Sequence, residues 1–311
     1  MPTHDRAAVS EMNGRTRVAA SGTNTGAFAP MDWVLLLSIA AIWGSSFLWI
    51  AIGLDHFGPG VIALLRLVLG ASALAFIPAA RTPIARSDWG SVAVIAVCGN
   101  AAPAILLATA QQHVDSAVAG MLNGSTPLFV VLVGLVVARL VPGRRQAIGL
   151  SIGFVGVVCM AYPNVIGSAA TPLGVSMVLV TMFGYGVTNV VVVGLQQRYG
   201  GPAVVMRAQL LGALMMVPFF FVDLPNSEFS WKGFGAIVIL GVFGTGLARS
   251  MSATLSGRTG AARASVVTYI IPVIAITLGI IVRGESIGPW EVAGTVLVLV
   301  GAYFTTRSER P

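Results

Sequence analysis

The chain has 311 residues, of which 56% are hydrophobic and 9% are charged, and its mean hydropathy is +0.88. A soluble domain carries about 25% charged residues, so the composition excludes a soluble protein and indicates an integral membrane protein. The formal net charge of +7 comes from arginines that orient membrane helices, and we expect no nucleic-acid partner.

The N-terminal segment, residues 1–31, is rich in Ser, Thr, Asn and Gly and contains no apolar run. Such a segment cannot bury enough apolar surface to fold, and it lacks the apolar core of a signal peptide. We predict that it is a disordered cytoplasmic tail. Residues 307–311 form a second, short cytoplasmic end.

Ten apolar runs follow, each close to the roughly 20 residues that a helix needs to cross the bilayer core. Because the runs are continuous rather than alternating, they predict helices and not a β-barrel. We therefore predict an all-α membrane fold, with helices α1 to α10 over residues 33–53, 58–79, 89–110, 116–138, 146–163, 172–195, 202–222, 231–253, 260–282 and 289–306.

The second half of the chain repeats the first. Pro127, Gly134, Gly149 and Gly156 each have an identical residue 145 positions later, and the match from residue 99 to residue 156 needs no gap. Five helices are an odd number, so the second copy must enter the membrane from the opposite side. We predict a five-helix repeat over 32–165 and an inverted copy over 170–306.

The basic residues of the loops orient these helices. With both termini in the cytoplasm, the inner loops and tails hold twelve arginines, whereas the outer loops hold only Lys232 and Arg283. Cytoplasmic loops of membrane proteins carry an excess of Lys and Arg. We predict a multi-pass protein of the bacterial inner membrane with both termini inside.

Several polar side chains fall in the middle of the predicted helices, where they are costly and mark either a pathway or a helix contact. The Gly and Ser positions of α1 fit a close helix contact as well as a cavity wall, whereas Tyr185 and Asn189 of α6 favour a cavity. We predict that the substrate contacts Trp43, Ser46, Asn100, Asn123, Tyr185, Asn189, Arg249 and Tyr269.

Arginines and prolines also fall within the predicted helices, and we expect a different role for each type. Arg66 and Arg207 are repeat mates, and we expect both to reach the membrane surface or to pair with a carbonyl group. Arg249 fits the same account or contact with an anion. Pro127 and Pro272 occupy matching positions of α4 and α9, where they predict kinks beside a binding site at the middle of the membrane.

Every acid and every histidine falls in a tail, a loop or the end of a predicted helix. A proton-driven carrier keeps a titratable carboxylate or imidazole inside the membrane, so we expect movement down the substrate gradient. No metal-ligand cluster or nucleophile with its base is evident. We expect no enzyme activity, no metal and no cofactor.

The order of these features resembles the drug/metabolite transporter superfamily, and in particular its EamA-type exporters, over residues 33–306. The features are the Trp43-Gly44-Ser45-Ser46-Phe47 run, the early Arg66 of α2, and the proline-centred α4 and α9 followed by glycine-rich helices. The chain also looks similar to bacterial exporters of aromatic amino acids. The resemblance implies a cavity between α1, α3, α4, α6, α8 and α9 that opens alternately to the two sides.

The chain departs from this family at one point. The family often has a Gly-Glu pair after α4 and after α9. Here Gly284-Glu285 follows α9, but Arg139-Leu140-Val141 follows α4.

These features together predict a secondary transporter that exports small metabolites, above all aromatic or other neutral amino acids, across the bacterial inner membrane. A broad exporter of drugs or toxic metabolites is the alternative within the same fold. A membrane sensor or enzyme without transport is the alternative from another class. The expected partners are a small-molecule substrate and the lipid bilayer, and the sequence is compatible with a monomer.

Overall fold

The structure is a computed structural model, which describes residues 29–138, 144–166 and 172–306. Within these ranges the regular secondary structure is entirely helical, so the predicted all-α class is confirmed. The predicted tails, apart from residues 29–31, lie outside the described residues. So does the Arg139-Leu140-Val141 segment.

Each of the ten predicted runs corresponds to a helix, and several helices are assembled from consecutive pieces. The bounds are Pro30–Leu54 for α1, Pro59–Ala75 for α2, Trp89–Ile95, Ala96–Ala101 and Ala102–Ala110 for α3, Ser116–Asn123 and Thr126–Ala138 for α4, Arg144–Ile166 for α5, Pro172–Tyr199 for α6, Gly201–Asp223 for α7, Trp231–Ile239, Leu240–Leu247 and Ala248–Thr259 for α8, Ala261–Ala264, Ser265–Tyr269, Ile271–Leu278 and Gly279–Arg283 for α9, and Pro289–Thr306 for α10. Short 3₁₀ turns lie at Pro78–Arg81, Arg86–Asp88 and Leu224–Asn226.

Among the described residues, six helices are long and apolar enough to cross a membrane by length and composition: α1, α3, α4, α6, α7 and α8. The other four contain shorter apolar stretches. Many large hydrophobic side chains are exposed on the outside of the bundle, among them Phe76, Leu214, Phe221 and Ile281. An apolar outer surface of this kind suits contact with lipid rather than water.

Helix packing follows the repeat. α2 packs against α7, and α5 packs against α10, so each of these pairs joins equivalent helices of the two halves. α1 packs against α8 and α9, while its equivalent α6 packs against α3 and α4. Two copies of one unit that share a bundle produce this pattern. The boundaries 32–165 and 170–306 stay a prediction, and the described residues place the end of α5 at Ile166 and the start of α6 at Pro172.

Matching glycines bring α5 and α10 into backbone contact. A Cβ atom on Gly294 would lie 2.6 Å from the carbonyl oxygen of Gly156, and one on Gly301 would lie 2.4 Å from the amide nitrogen of Gly153. Small residues let membrane helices approach this closely. Gly156 and Gly301 belong to the sequence repeat, so part of the repeat encodes this contact.

Both proline-centred helices change conformation just before the proline. α4 is interrupted between Asn123 and Thr126, where the amide groups of Gly124 and Ser125 bond to carbonyl groups three residues earlier. α9 becomes a 3₁₀ helix over Ser265–Tyr269. Proline cannot donate a backbone hydrogen bond and crowds the preceding turn, which accounts for both interruptions.

We expect Gly294→Ala to destabilise the protein by about 1–3 kcal/mol, the usual cost of overpacking, because the added methyl group would meet backbone atoms of α5. Gly134→Ala is the matched control, since nothing lies within 4 Å of a Cβ atom at that position. Thermal unfolding in detergent measures both. Equal melting temperatures for the two variants would contradict the proposed contact.

Candidate functional site

A cavity lies in the middle of the bundle. Its empty space is about 950 Å³, including the part that is open to the outside. Residues from α1, α3, α4, α6, α8 and α9 line it, and α2 and α7 each add one side chain, Arg66 and Val205.

Seven of the eight predicted substrate contacts line this cavity: Trp43, Ser46, Asn100, Asn123, Tyr185, Asn189 and Arg249. They come from five different helices, and the fold brings them together. Their contact with a substrate remains a prediction.

Tyr269, the eighth predicted contact, is not among the lining residues. Its ring packs beside the apolar cluster formed by Leu128, Leu150 and Ala302. The preceding residue, Thr268, faces the cavity instead. Successive side chains of a helix point in different directions, so Thr268 faces the cavity while Tyr269 faces the apolar cluster.

Arg66 is a cavity residue that the sequence analysis missed. Its side chain is only 5% exposed, so the expectation that it reaches the membrane surface was wrong. Its Nε donates to the hydroxyl of Thr245 at 3.0 Å, and its Nη1 is buried without a partner. Its repeat mate Arg207 instead donates to the carbonyl oxygens of Ala80 at 2.7 Å and Ala203 at 3.1 Å.

Glycines of α2 and α8 explain how Arg66 reaches the centre. A Cβ atom on Gly246 would lie 2.8 Å from the carbonyl oxygen of Gly70, and one on Gly241 would lie 3.1 Å from that of Arg66. The two backbones are therefore nearly in contact. This proximity places the guanidinium group beside Thr245 of α8.

Two π-helical segments, Ala96–Ala101 of α3 and Leu240–Leu247 of α8, occupy matching positions in the repeat. In each, a polar side chain donates to the carbonyl oxygen five residues earlier: Asn100 to Ile95 at 3.0 Å, and Thr245 to Leu240 at 3.1 Å. The two donors, Asn100 and Thr245, lie 145 positions apart, and so do the two acceptors, Ile95 and Leu240. π-Segments are frequent at functional sites; Asn100 of the first lines the cavity, and Thr245 of the second contacts the lining residue Arg66.

Arg249 provides a second positive charge. Its Nη2 donates to the hydroxyl of Tyr185 at 3.1 Å, and its guanidinium carbon lies 5.0 Å from the centre of that ring. Its Nε is buried without a partner. The arrangement combines a hydrogen bond with a cation–π contact, and it turns the guanidinium group toward the cavity rather than the membrane surface.

Among the other polar groups of the lining, some atoms have a hydrogen-bond partner and others have none. Trp43 Nε1 donates to the carbonyl oxygen of Gly244 at 3.0 Å, and the Asn189 side chain donates to that of Tyr185 at 2.8 Å. In contrast, Asn100 Oδ1 and Thr188 Oγ1 are buried without partners. Residues that line the cavity therefore carry unpaired acceptors as well as unpaired guanidinium donors.

Apolar and aromatic side chains form the rest of the wall, including Phe47, Ile50, Leu107, Val192, Val205 and Val267. Together with the ring of Trp43, they give a ligand an apolar surface beside the polar groups. A small molecule with a polar head and an apolar side chain would suit both parts.

Polar contacts join different helices at one end of the bundle, which we call the Asp55 end. The Asp55 carboxylate accepts from Arg283 at 2.7 and 3.1 Å. The Glu285 carboxylate accepts from the amide groups of Ser116 at 3.1 Å and Ala117 at 2.8 Å, so α4 is capped by a residue of the second half. Burial, followed by the charge of Glu285, raises the pKa of the neighbouring Asp115.

The opposite end, which we call the Asp32 end, is joined in a similar way. Arg258 at the end of α8 pairs with the buried Asp32 at the start of α1, at 2.6 Å. Arg198 at the end of α6 pairs with Asp88, at 2.8 Å. Each contact joins a helix of one half to a helix or turn of the other.

Comparison with known proteins places these features in context. The model of the EamA-like transporter family matches residues 31–162 and, separately, residues 172–307. A "Probable terminal-alkyne amino-acid exporter" of Streptantibioticus cattleyicolor is 27% identical over 286 residues, which cover 88% of this chain and 93% of the relative. A "Probable amino-acid metabolite efflux pump" of Salmonella typhimurium is 21% identical, with 88% and 93% covered.

A solved crystal structure shares the fold. It superimposes with a TM-score of 0.61 at 16% sequence identity, covering 88% of this chain and 96% of the other. At this identity the likeness concerns the fold alone.

We expect Thr245→Val to lower the free energy of unfolding by about 1–3 kcal/mol, because it leaves Arg66 Nε and the Leu240 carbonyl without their buried partner. Thr277→Val is the matched control. Its hydroxyl also bonds to a carbonyl of its own helix but is exposed, so a change within about 0.5 kcal/mol is expected. Denaturant unfolding in detergent compares them. Equal losses would contradict a structural role for the Arg66–Thr245 contact.

Proposed function

The chain belongs to the EamA-like transporter family, and on this premise we propose that it exports small metabolites, in particular neutral and aromatic amino acids, across the bacterial inner membrane. The family is one of membrane transporters and not of enzymes. The relatives described as exporters of amino acids or their metabolites support the substrate class, and both come from bacteria.

The observation that carries this proposal is the mixed lining of the central cavity. An amino acid has a carboxylate, an ammonium group and a side chain. The residues that line the cavity carry unpaired guanidinium N–H groups, the unpaired acceptors Asn100 Oδ1 and Thr188 Oγ1, and apolar side chains. Each part of a neutral or aromatic amino acid therefore has a chemically matched surface.

Transport would proceed by alternating access. The two halves share the cavity, and polar contacts between them join helices at both ends of the bundle. Opening one end requires the contacts at that end to break while those at the other end hold. The interruptions before Pro127 and Pro272 lie beside the cavity and provide bends at which α4 and α9 can move.

We propose that the movement is facilitative. The charged residues that line the cavity within the described ranges, Arg66 and Arg249, are both arginines. Arginine stays protonated in proteins, so neither group can load and release a proton during transport. The substrate gradient then supplies the driving force.

A broad exporter of drugs or toxic compounds is the second candidate. The apolar side of the cavity, which includes Phe47 and Val267, favours it. The two arginines oppose it for cationic compounds, because like charges repel strongly in a site of low dielectric constant. Competition for transport between amino acids and cationic dyes separates the two candidates.

Counterflow in proteoliposomes tests the function. We expect vesicles preloaded with unlabelled phenylalanine or leucine to accumulate the labelled amino acid transiently, without an imposed pH gradient. Accumulation that depends on a pH gradient would contradict the facilitative mechanism. Background counterflow for a full panel of neutral and aromatic amino acids would refute the proposed substrate class.

A residue-level prediction accompanies this test. Ser252→Trp should reduce counterflow to background, because the indole ring would fill the cavity that Ser252 lines. Leu214→Trp is the matched control, since Leu214 is 69% exposed on the outside of the bundle. Both variants should be recovered in similar amounts. Normal counterflow with Ser252→Trp would place the transport path elsewhere.

A further inference from the structure

The two cavity arginines, Arg66 and Arg249, differ in their partners from the arginines that form ion pairs in the described part of the chain. Three arginines at the ends of the bundle are neutralised by carboxylates of the chain itself: Arg198 by Asp88, Arg258 by Asp32 and Arg283 by Asp55. Arg66 and Arg249 lie in the cavity, where the described lining contains hydroxyl, amide and apolar groups but no carboxylate. Two like charges repel each other strongly in a site of low dielectric constant.

Each of these arginines keeps an N–H group without a partner. Arg66 uses Nε for Thr245 and leaves Nη1 free. Arg249 uses Nη2 for Tyr185 and leaves Nε free. A buried charge is unfavourable unless it is paired, and a guanidinium group bonds carboxylates especially well because its N–H groups match the two oxygens.

The side chains around the two arginines hold them in place. The buried hydroxyl of Thr245, which itself bonds to the Leu240 carbonyl, orients Arg66. The ring and hydroxyl of Tyr185 orient Arg249. Sites whose donors are already positioned bind without a large ordering cost.

We propose that Arg66 and Arg249 together bind the carboxylate group of the substrate, and that this group, rather than the ammonium group, decides which molecules the transporter accepts. The inference rests on the proposed function and names the chemistry of its site. Carboxylates with an apolar side chain are the substrate class. Amines without a carboxylate are excluded because the two guanidinium charges repel them.

The ammonium group is secondary for a physical reason. Its available partners are neutral acceptors such as Asn100 Oδ1 and Thr188 Oγ1, whereas the carboxylate meets two positive charges. Hydrogen bonds between two charged groups are stronger than those with one neutral partner. Removing the carboxylate from a ligand should therefore weaken binding more than removing the ammonium group.

Three probes that share a phenyl group and differ in charge test this order: phenylalanine, 3-phenylpropanoate without the ammonium group, and phenethylamine without the carboxylate. Binding is measured from the rise in melting temperature of the full-length protein in detergent, and separately as competition in counterflow. We expect both carboxylates to stabilise the protein and to compete. Phenethylamine should require at least about tenfold higher concentrations.

Arg249→Gln is the decisive variant, since it keeps the side chain polar and leaves the Arg66–Thr245 contact intact. We expect it to weaken binding of both carboxylates at least about tenfold and to remove most of the discrimination against phenethylamine. Arg66→Gln should act in the same direction. Arg207→Gln, the repeat mate that bonds to carbonyl groups instead, is the matched control and should bind as the wild type does.

The outcomes separate the inference from the proposed function. If amino acids are transported but phenethylamine competes as well as 3-phenylpropanoate, or if Arg249→Gln keeps the preference for carboxylates, the inference is wrong and the proposed function stands. Binding of none of the three probes to the wild type would also overturn the inference. Carboxylate binding without counterflow of any amino acid would support the inference and overturn the proposed function.

Discussion

Hydrocarbon cannot satisfy the hydrogen bonds of a peptide group, and the structure of this protein depends on that constraint. A continuous helix meets it everywhere, yet α3, α4, α8 and α9 are each interrupted by a π, 3₁₀ or open turn. All four helices border the cavity. Side chains of the site compensate for the interruptions: Asn100 and Thr245 bond to carbonyls five residues earlier, Thr126 bonds to the Asn123 carbonyl, and Trp43 bonds to that of Gly244. Polar residues in the middle of the membrane thus serve the backbone and the site together.

The repeat supplies a symmetric frame, whereas the chemistry within it is not symmetric. The two matching π-segments and the two prolines recur in both halves, and equivalent helices of the two halves pack against each other. Arg66 and Arg207 occupy equivalent positions, but one lies in the cavity and the other bonds to carbonyl groups. Glu285 after α9 caps α4, while the sequence has no glutamate at the corresponding place after α4. Duplication therefore explains the architecture, and later divergence explains why Arg66 lines the cavity while its repeat mate Arg207 bonds to carbonyl groups.

Much of the fold could be predicted from composition and periodicity, because the ten apolar runs allow few other structures in a membrane. Seven residues that line the cavity were predicted from a simple signal, a polar side chain in the middle of an apolar helix. Arg66 was missed because the position of an arginine within its helix does not show whether its side chain extends toward the membrane surface or toward the centre. The close glycine contact between α2 and α8 decides the direction. Tyr269 was predicted from the same signal, which does not show which of two adjacent side chains faces the cavity. The π-segments leave no sequence signal apart from their place in the repeat.

The glycine contact between α5 and α10 has a consequence for how the molecule can move. Backbone atoms of Gly156 and Gly294, and those of Gly153 and Gly301, meet there, so at these two points no side chain can rearrange to let the helices slide. We expect this seam to hold α5 and α10 together while other helices of the two halves move. Any rocking of the bundle must then be largest at the helices farthest from this seam.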